Sequence, residues 1–300
     1  MKELRIKSYY FRIAGHVMEV QLWDKLKLSS CLPGFEAFRV KGEGKRIVSR
    51  VKVIRKNAPG VEDIASLAQD FKSIYDVGYG IEDSLRSVLS VSLGQNQLAE
   101  SWELYSIDSF RYSVIYVGEE TALEGSILSW LLMLVFGHST LRYKTLLLDA
   151  SVVDLEGLGY AFLGSKDNLK SIHSSLWVSC YEDTSLLSEG YPVVRVMPGG
   201  TVMIYGSPWS IVSCYKNRGV ELKGLVCLYP GNENRWREVI EREAFISVFP
   251  GCMFVQWHSG YSALVRKNLK KVISRVRVGH LSCLPEVSAV RDCRLGLESI

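Results

Sequence analysis

The sequence predicts an α+β or α/β protein in two parts: a β-rich N-terminal domain over residues 1–118, then a domain with a mixed sheet and flanking helices over residues 119–300. Three observations lead there. Aromatic and β-branched residues crowd the short apolar runs before residue 118. A strongly apolar helix pattern opens just after it. Beyond residue 140, strand-like and helix-like segments are mixed.

In the first part, YYFRIAGHVMEVQLW, FEAFRV, RIVSRVKVIR, LRSVLSVSL, SWELYSI and RYSVIYV read as strands separated by polar turns. RIVSRVKVIR and YSVIYV partly alternate, which points to antiparallel pairing. VEDIASLAQDFKSIYD reads as a helix or a covering segment. Thr121 and Glu124 then have the spacing of a capping box, so a helix is expected from there to about Phe136, stopping near Gly137. Leu123, Ile127, Leu128, Trp130, Leu131, Leu132, Leu134 and Val135 make it apolar on almost every side, which predicts burial.

The second part continues with KTLLLDASVVDL and LGYAFLG as strands, a helix from Ser171, PVVRVM and TVMIYG around a Pro-Gly-Gly turn, and GLVCLYP. NENRWREVIEREAFISVF reads as one helix stopped by Pro250-Gly251. SGYSALVRKNLKKVISRV reads as another, with Leu264, Val265, Leu269, Val272 and Ile273 on a common side. Its basic residues, Arg266, Lys267, Lys270, Lys271, Arg275 and Arg277, read as the solvated face of that helix or, as the lesser alternative, a docking surface for an acidic partner. No repeat, low-complexity segment or Pro/Ser-rich linker interrupts the chain.

Bulk properties exclude several classes. Three hundred residues at 47% hydrophobic content supply a large core, and a net charge of +4 is too mild to call for nucleic acid. Seven cysteines without a CxxC pair suggest neither a disulfide framework nor a zinc site, and fit a reducing cytoplasm. The N-terminus has no continuous apolar stretch of the kind a signal peptide needs. The most apolar segment, ILSWLLMLVF, falls well short of the ~20 residues that cross a bilayer, so no membrane association is expected.

The stretch that bears on chemistry is GSKDNLKS, Gly164 to Ser171, between an apolar strand and a helix start. A phosphate loop has the form GxxxxGK[ST]: backbone N–H groups and the helix end hold phosphate, the Lys reaches the outer phosphates and the Ser holds magnesium. Gly164, Lys170 and Ser171 fit, but Leu169 stands where the second Gly belongs. A side chain forced into the left-handed region there would cost roughly 1–2 kcal/mol. Asp167 adds a carboxylate that opposes phosphate unless Lys166 or Lys170 neutralises it, and an Asp167–Lys170 pair is the arrangement expected of an empty loop. The blander reading makes Lys170 and Ser171 the opening of a helix, with Ser as its cap.

The order of LLLDASVVDLEGLGYAFLGSKDNLKSIHSSLW, LLSEGYPVVRVMPGGTVMIYGSPWS, CYKNRGVEL and HLSCLP resembles the bacterial HPr kinase/phosphorylase-like proteins, whose P-loop domain is related to phosphoenolpyruvate carboxykinase. The resemblance covers residues 120 to 295, and the β-rich first half also looks like the N-terminal region of stand-alone members. It implies Mg-ATP chemistry on a hydroxyl, such as a serine of a small carrier protein, and an oligomer, since active members form hexamers. Residue by residue the match is uneven. Gly164, Lys170 and Ser171 agree, while Asp149 replaces the His of an HAS segment and Glu189-Gly190 replaces a pair of acids. After YGSPWS, Ile211 and Val212 stand where Gly-Lys is usual.

Loss of the acidic pair removes the natural base and part of the metal shell together. The resemblance therefore implies a degenerate member: a pseudokinase with no cofactor or bound metal, acting by binding a small carrier protein or peptide. Under the alternative, a divergent kinase, Mg-ATP binds, Lys170 contacts phosphates, Ser171 and Glu189 hold magnesium, and Asp149 or Glu189 is the base. Against these stand plainer readings: Glu189 as a solvated turn carboxylate, Asp149 as an ion-pair partner of Lys170, His173 and His280 as packed or surface residues, and His16, His138 and His258 without evident partners.

Overall fold

The computed structural model describes residues 5–24, 26–42, 46–55, 72–74, 77–83, 86–91, 102–117, 124–164, 169–211, 214–254 and 259–298. Thr121, Asp167, His258 and most of VEDIASLAQDFKSIYD lie outside them. The chain divides into two compact units, Met1–Ser139 and Thr140–Ile300.

The first unit is built on a nine-stranded mixed sheet. β1 (Ile6–Ile13) and β2 (His16–Trp23) form a hairpin whose tight turn needs positive φ at Ala14 and Gly15. A short α1 (Leu28–Cys31) and a 3₁₀ turn at Pro33–Phe38 lead to β3 (Arg39–Val40), so only the end of FEAFRV is extended. β4 (Ile47–Arg55) follows, then β5 (Lys72–Ile74), β6 (Val77–Asp83), β7 (Arg86–Val91), β8 (Trp102–Ile107) and β9 (Tyr112–Val117). β5 to β9 pair antiparallel in sequence order, but β4 lies parallel to both β2 and β9. The expected all-antiparallel pairing therefore fails at β4. Side-chain alternation has a period of two in either arrangement and does not encode direction.

α2 (Glu124–Thr140) is the predicted apolar helix, buried on nearly every side from Ile127 onward. It runs past Gly137 instead of stopping there. His138 Nδ1 lies 2.7 Å from the Leu134 carbonyl oxygen, and its ring stacks on Phe110 at 4.6 Å, which anchors the last turn. His138 and His16, whose ring meets Phe136 edge-on, thus have partners the sequence did not reveal.

The second unit carries β10 (Thr145–Leu147), β11 (Ala150–Leu155), β12 (Leu158–Leu163), α3 (Leu169–Cys180), β13 (Thr184–Gly190), β14 (Val193–Val196), β15 (Val202–Tyr205) and β16 (Gly219–Pro230). β17 (Arg235–Glu238), α4 (Glu241–Val248), α5 (Ser259–Ile273), β18 (Arg277–Cys283) and α6 (Val287–Glu298) complete it. The main sheet runs β10-β14-β15-β16-β12-β11-β13, with β18 beside β16 and β17 beside β18. β12–β16 and β16–β18 are parallel and the other pairs antiparallel, so this sheet too is mixed.

Two readings change here. KTLLLDASVVDL is two strands, broken at Leu148 and Asp149, because β10 pairs with β14 while β11 pairs with β12 and β13. NENRWREVIEREAFISVF is not one helix: RWRE is β17, and Trp236 packs over Gly279 and Gly296, where any Cβ would collide with its ring. The helix is confined to α4. α5 keeps its predicted face, with Val265, Leu269, Val272 and Ile273 buried, and packs on β10 and β14. α3 and α6 cover a core that includes Val153, Phe162, Trp177, Val226, Leu281 and Val290. No helix among the described residues is long and apolar enough to cross a membrane.

Candidate functional site

Four of the sequence-predicted residues converge where three elements meet. Asp149 sits in the break just before β11, Lys170 and Ser171 lie in the first turn of α3, and Glu189 is near the end of β13. Lys170 Nζ is 2.5 Å from Asp149 Oδ1, and the Ser171 hydroxyl donates to Glu189 Oε1. Gly164 follows the end of β12, and a Cβ there would sit 3.3 Å from the Leu228 carbonyl oxygen and 3.9 Å from Lys170 Cγ. Two carboxylates thus reach the first turn of a helix, the end whose free N–H groups favour negative charge.

The pair expected for Lys170 within its own loop is outside the described residues, since Asp167 is. Its described partner is Asp149, the arrangement that the plainer reading of Asp149 anticipated. Asp149 keeps 44% of its side-chain surface exposed. An ion pair that open contributes at most about 1 kcal/mol.

Leu169 behaves differently from expectation. It is the first residue of α3 and has no positive φ, so the left-handed strain foreseen for it is not incurred. Its side chain instead packs against the buried core cluster that includes Trp177 and Phe162. The helix consequently starts two residues before Ser171, and Ser171 bonds Glu189 instead of capping.

Three serines that sequence reasoning missed fix the frame. Ser151, paired opposite Glu189 across β11 and β13, donates to Ser174 Oγ at 2.8 Å, and Ser174 donates to the Ser171 carbonyl at 3.0 Å. Ser210 holds both sides of the Glu189 backbone, accepting from its N–H at 3.2 Å and donating to its carbonyl at 3.0 Å. The only sequence signal for Ser151 was its alternation with Asp149. The Ile211 N–H also donates to the Glu189 carbonyl, at 2.6 Å, so the segment after YGSPWS now braces β13.

Gly190 is the most constrained point of the site. Its φ is +128°, and a Cβ would lie 2.6 Å from the Trp209 carbonyl oxygen. No side chain fits there on this backbone.

The histidines are occupied structurally. His173 is 1% exposed, accepts a 3.0 Å hydrogen bond at Nε2 from Trp177 Nε1–H, and lies edge-on to Phe162; burial lowers its pKa from 6.5 to about 4. His280 lies between Arg237 and Ser247, with Nδ1 3.0 Å from Arg237 Nη2 and Nε2 2.7 Å from Ser247 Oγ. Arginine can only donate, so Nδ1 is the acceptor and the neutral ring carries its proton on Nε2. That tautomer donates to Ser247 and does not act as its base, so the pair is not a nucleophile–base couple. Burial first, and then the Arg237 charge, lowers the His280 pKa. Among the described residues no three His, Cys, Asp or Glu side chains gather as a metal cluster. Ser171 and Glu189 pair a hydroxyl with a carboxylate, a donor set that a magnesium ion can use.

The second unit is therefore a mixed α/β body with a strand end, a helix start and two carboxylates drawn together. No protein-family model matches the chain, and no curated protein matches it. Among solved structures it is similar to the HPr(Ser) kinase/phosphatase from Coxiella burnetii, at 12% identity and a TM-score of 0.29, covering 51% of this chain and 99% of that one. That likeness is weak.

Proposed function

We propose that this chain is a catalytically impaired, HPr-kinase-like protein that acts by binding a small carrier protein or peptide. Gly190 carries the reading. In the residue pattern that the sequence resembles, this position bears the second of two acids, which share the work of base and metal ligand. Here a positive φ and the Trp209 carbonyl leave no room for one. The engagement of Lys170 by Asp149 supports the same reading but does not decide it. A half-exposed ion pair is worth at most about 1 kcal/mol, whereas micromolar nucleotide binding supplies about 8 kcal/mol and would displace it.

A second reading, a divergent Mg-ATP kinase for a protein hydroxyl, draws on the Ser171–Glu189 contact, which brings together the two groups that would hold magnesium. Incubation with labelled ATP, magnesium and the proteins of the source lysate separates the two. Absence of transferred label by the native chain and by Leu169→Gly supports the impaired protein. Transfer by the native chain that rises in Leu169→Gly overturns it in favour of the kinase.

A further inference from the structure

A cleft of about 350 Å³ opens beside Asp149, at the ends of β12 and β16 and against α4. Its walls are mostly apolar, with Leu163, Leu228 and Ile246 among them, and Ile246 is 62% exposed. Asp149 is the one charged residue of its described lining. Lys170 occupies Oδ1 of that carboxylate, and Oδ2 has no hydrogen-bond partner among the described residues. Tyr229 adds an aromatic ring, held edge-on to His280 at 5.0 Å. Ser247 lines the cleft with its oxygen already accepting from His280, which leaves its own proton free to turn inward. A volume near the lower end of ligand pockets suits a group of small size.

We propose that this cleft binds a primary ammonium group on a short aliphatic stem, as borne by a lysine side chain or a free alkylamine. The ammonium bonds Asp149 Oδ2 and faces the Tyr229 ring, while the stem lies along Leu163, Leu228 and Ile246. An alcohol or a carboxylate cannot make that charge-assisted bond to Oδ2 and is held more weakly. The inference rests on the reading above only in taking a lysine-bearing peptide as one of the two sources.

The test titrates the full chain with n-hexylammonium, n-hexanol and n-hexanoate by calorimetry, and with a lysine peptide against its norleucine counterpart. The ammonium is expected to bind at least about tenfold more tightly than the alcohol, with the carboxylate weakest, since a charge-assisted hydrogen bond exceeds a neutral one. Asp149→Asn is expected to abolish that preference while the alcohol still binds. Ammonium and alcohol binding alike, hexanoate binding most tightly, or a preference that survives in Asp149→Asn overturns the proposal. Should circular dichroism find Asp149→Asn unfolded, Ile246→Trp narrows the cleft without touching the ion pair; a loss of about tenfold in ammonium affinity is expected, and unchanged affinity overturns the assignment. A peptide bound tenfold more tightly than hexylammonium identifies the peptide as the source, and the reverse order the free amine. None of these probes contains phosphate, so their failure leaves the phosphotransfer result standing by itself.

Discussion

Acidification should destabilise the second unit through His173. The ring is buried, its Nε2 accepts the Trp177 indole proton, and burial holds its folded pKa at about 4 against 6.5 when unfolded. A depressed histidine pKa means that the fold favours the neutral ring. The unfolded chain therefore takes up a proton as pH drops below 6.5 while the folded chain does not, and stability falls until about pH 4. Integrating between those two values gives a loss of about 2 kcal/mol at pH 5 and about 3 kcal/mol at pH 4 relative to pH 7.5. Protonation would also turn Nε2 from acceptor to donor and break the Trp177 bond. Urea unfolding of the native chain and of His173→Gln at pH 7.5 and pH 5 reads the effect. The variant starts less stable but should lose about 2 kcal/mol less on acidification. Equal losses in both proteins would refute the assignment of this slope to His173.

Two further substitutions test the frame of the site. Leu169→Gly removes a half-buried side chain from the core and places glycine in the first turn of α3, so a loss of about 1–2 kcal/mol is expected in urea unfolding; a neutral or stabilising result would deny its packing role. Gly190→Asp restores an acid in composition only: with φ at +128° and the Trp209 carbonyl 2.6 Å from the new Cβ, it should cost about 2–3 kcal/mol and yield no phosphotransfer, and a stable, active variant would contradict the steric exclusion.

The sequence made the strand and the helix legible, because an apolar run ending in Gly164 and an amphipathic stretch after Leu169 obey different periods. The role of Leu169 was not legible. A match to a glycine position suggests backbone strain, whereas in the fold Leu169 opens α3 and packs against the core cluster of the second unit. Glu189 and Asp149 could be named from the resemblance, but their partners depend on β11 and β13 lying side by side, a pairing that no local pattern encodes. The same holds for the parallel neighbours of β4 and for β17, where the alternation in RWRE was hidden inside a longer helix-like composition. Gly190 was legible as a missing acid; that the backbone forbids one needed the Trp209 carbonyl to be in view.

Isothermal titration calorimetry of the full chain with Mg-ATP, repeated on Lys170→Ala, bears most directly on the claim that this phosphate site no longer works. Binding weaker than about 1 mM in both proteins, or none, is the predicted result. Micromolar affinity in the native chain that disappears in Lys170→Ala would contradict it, because Lys170 would then be leaving Asp149 to hold phosphate.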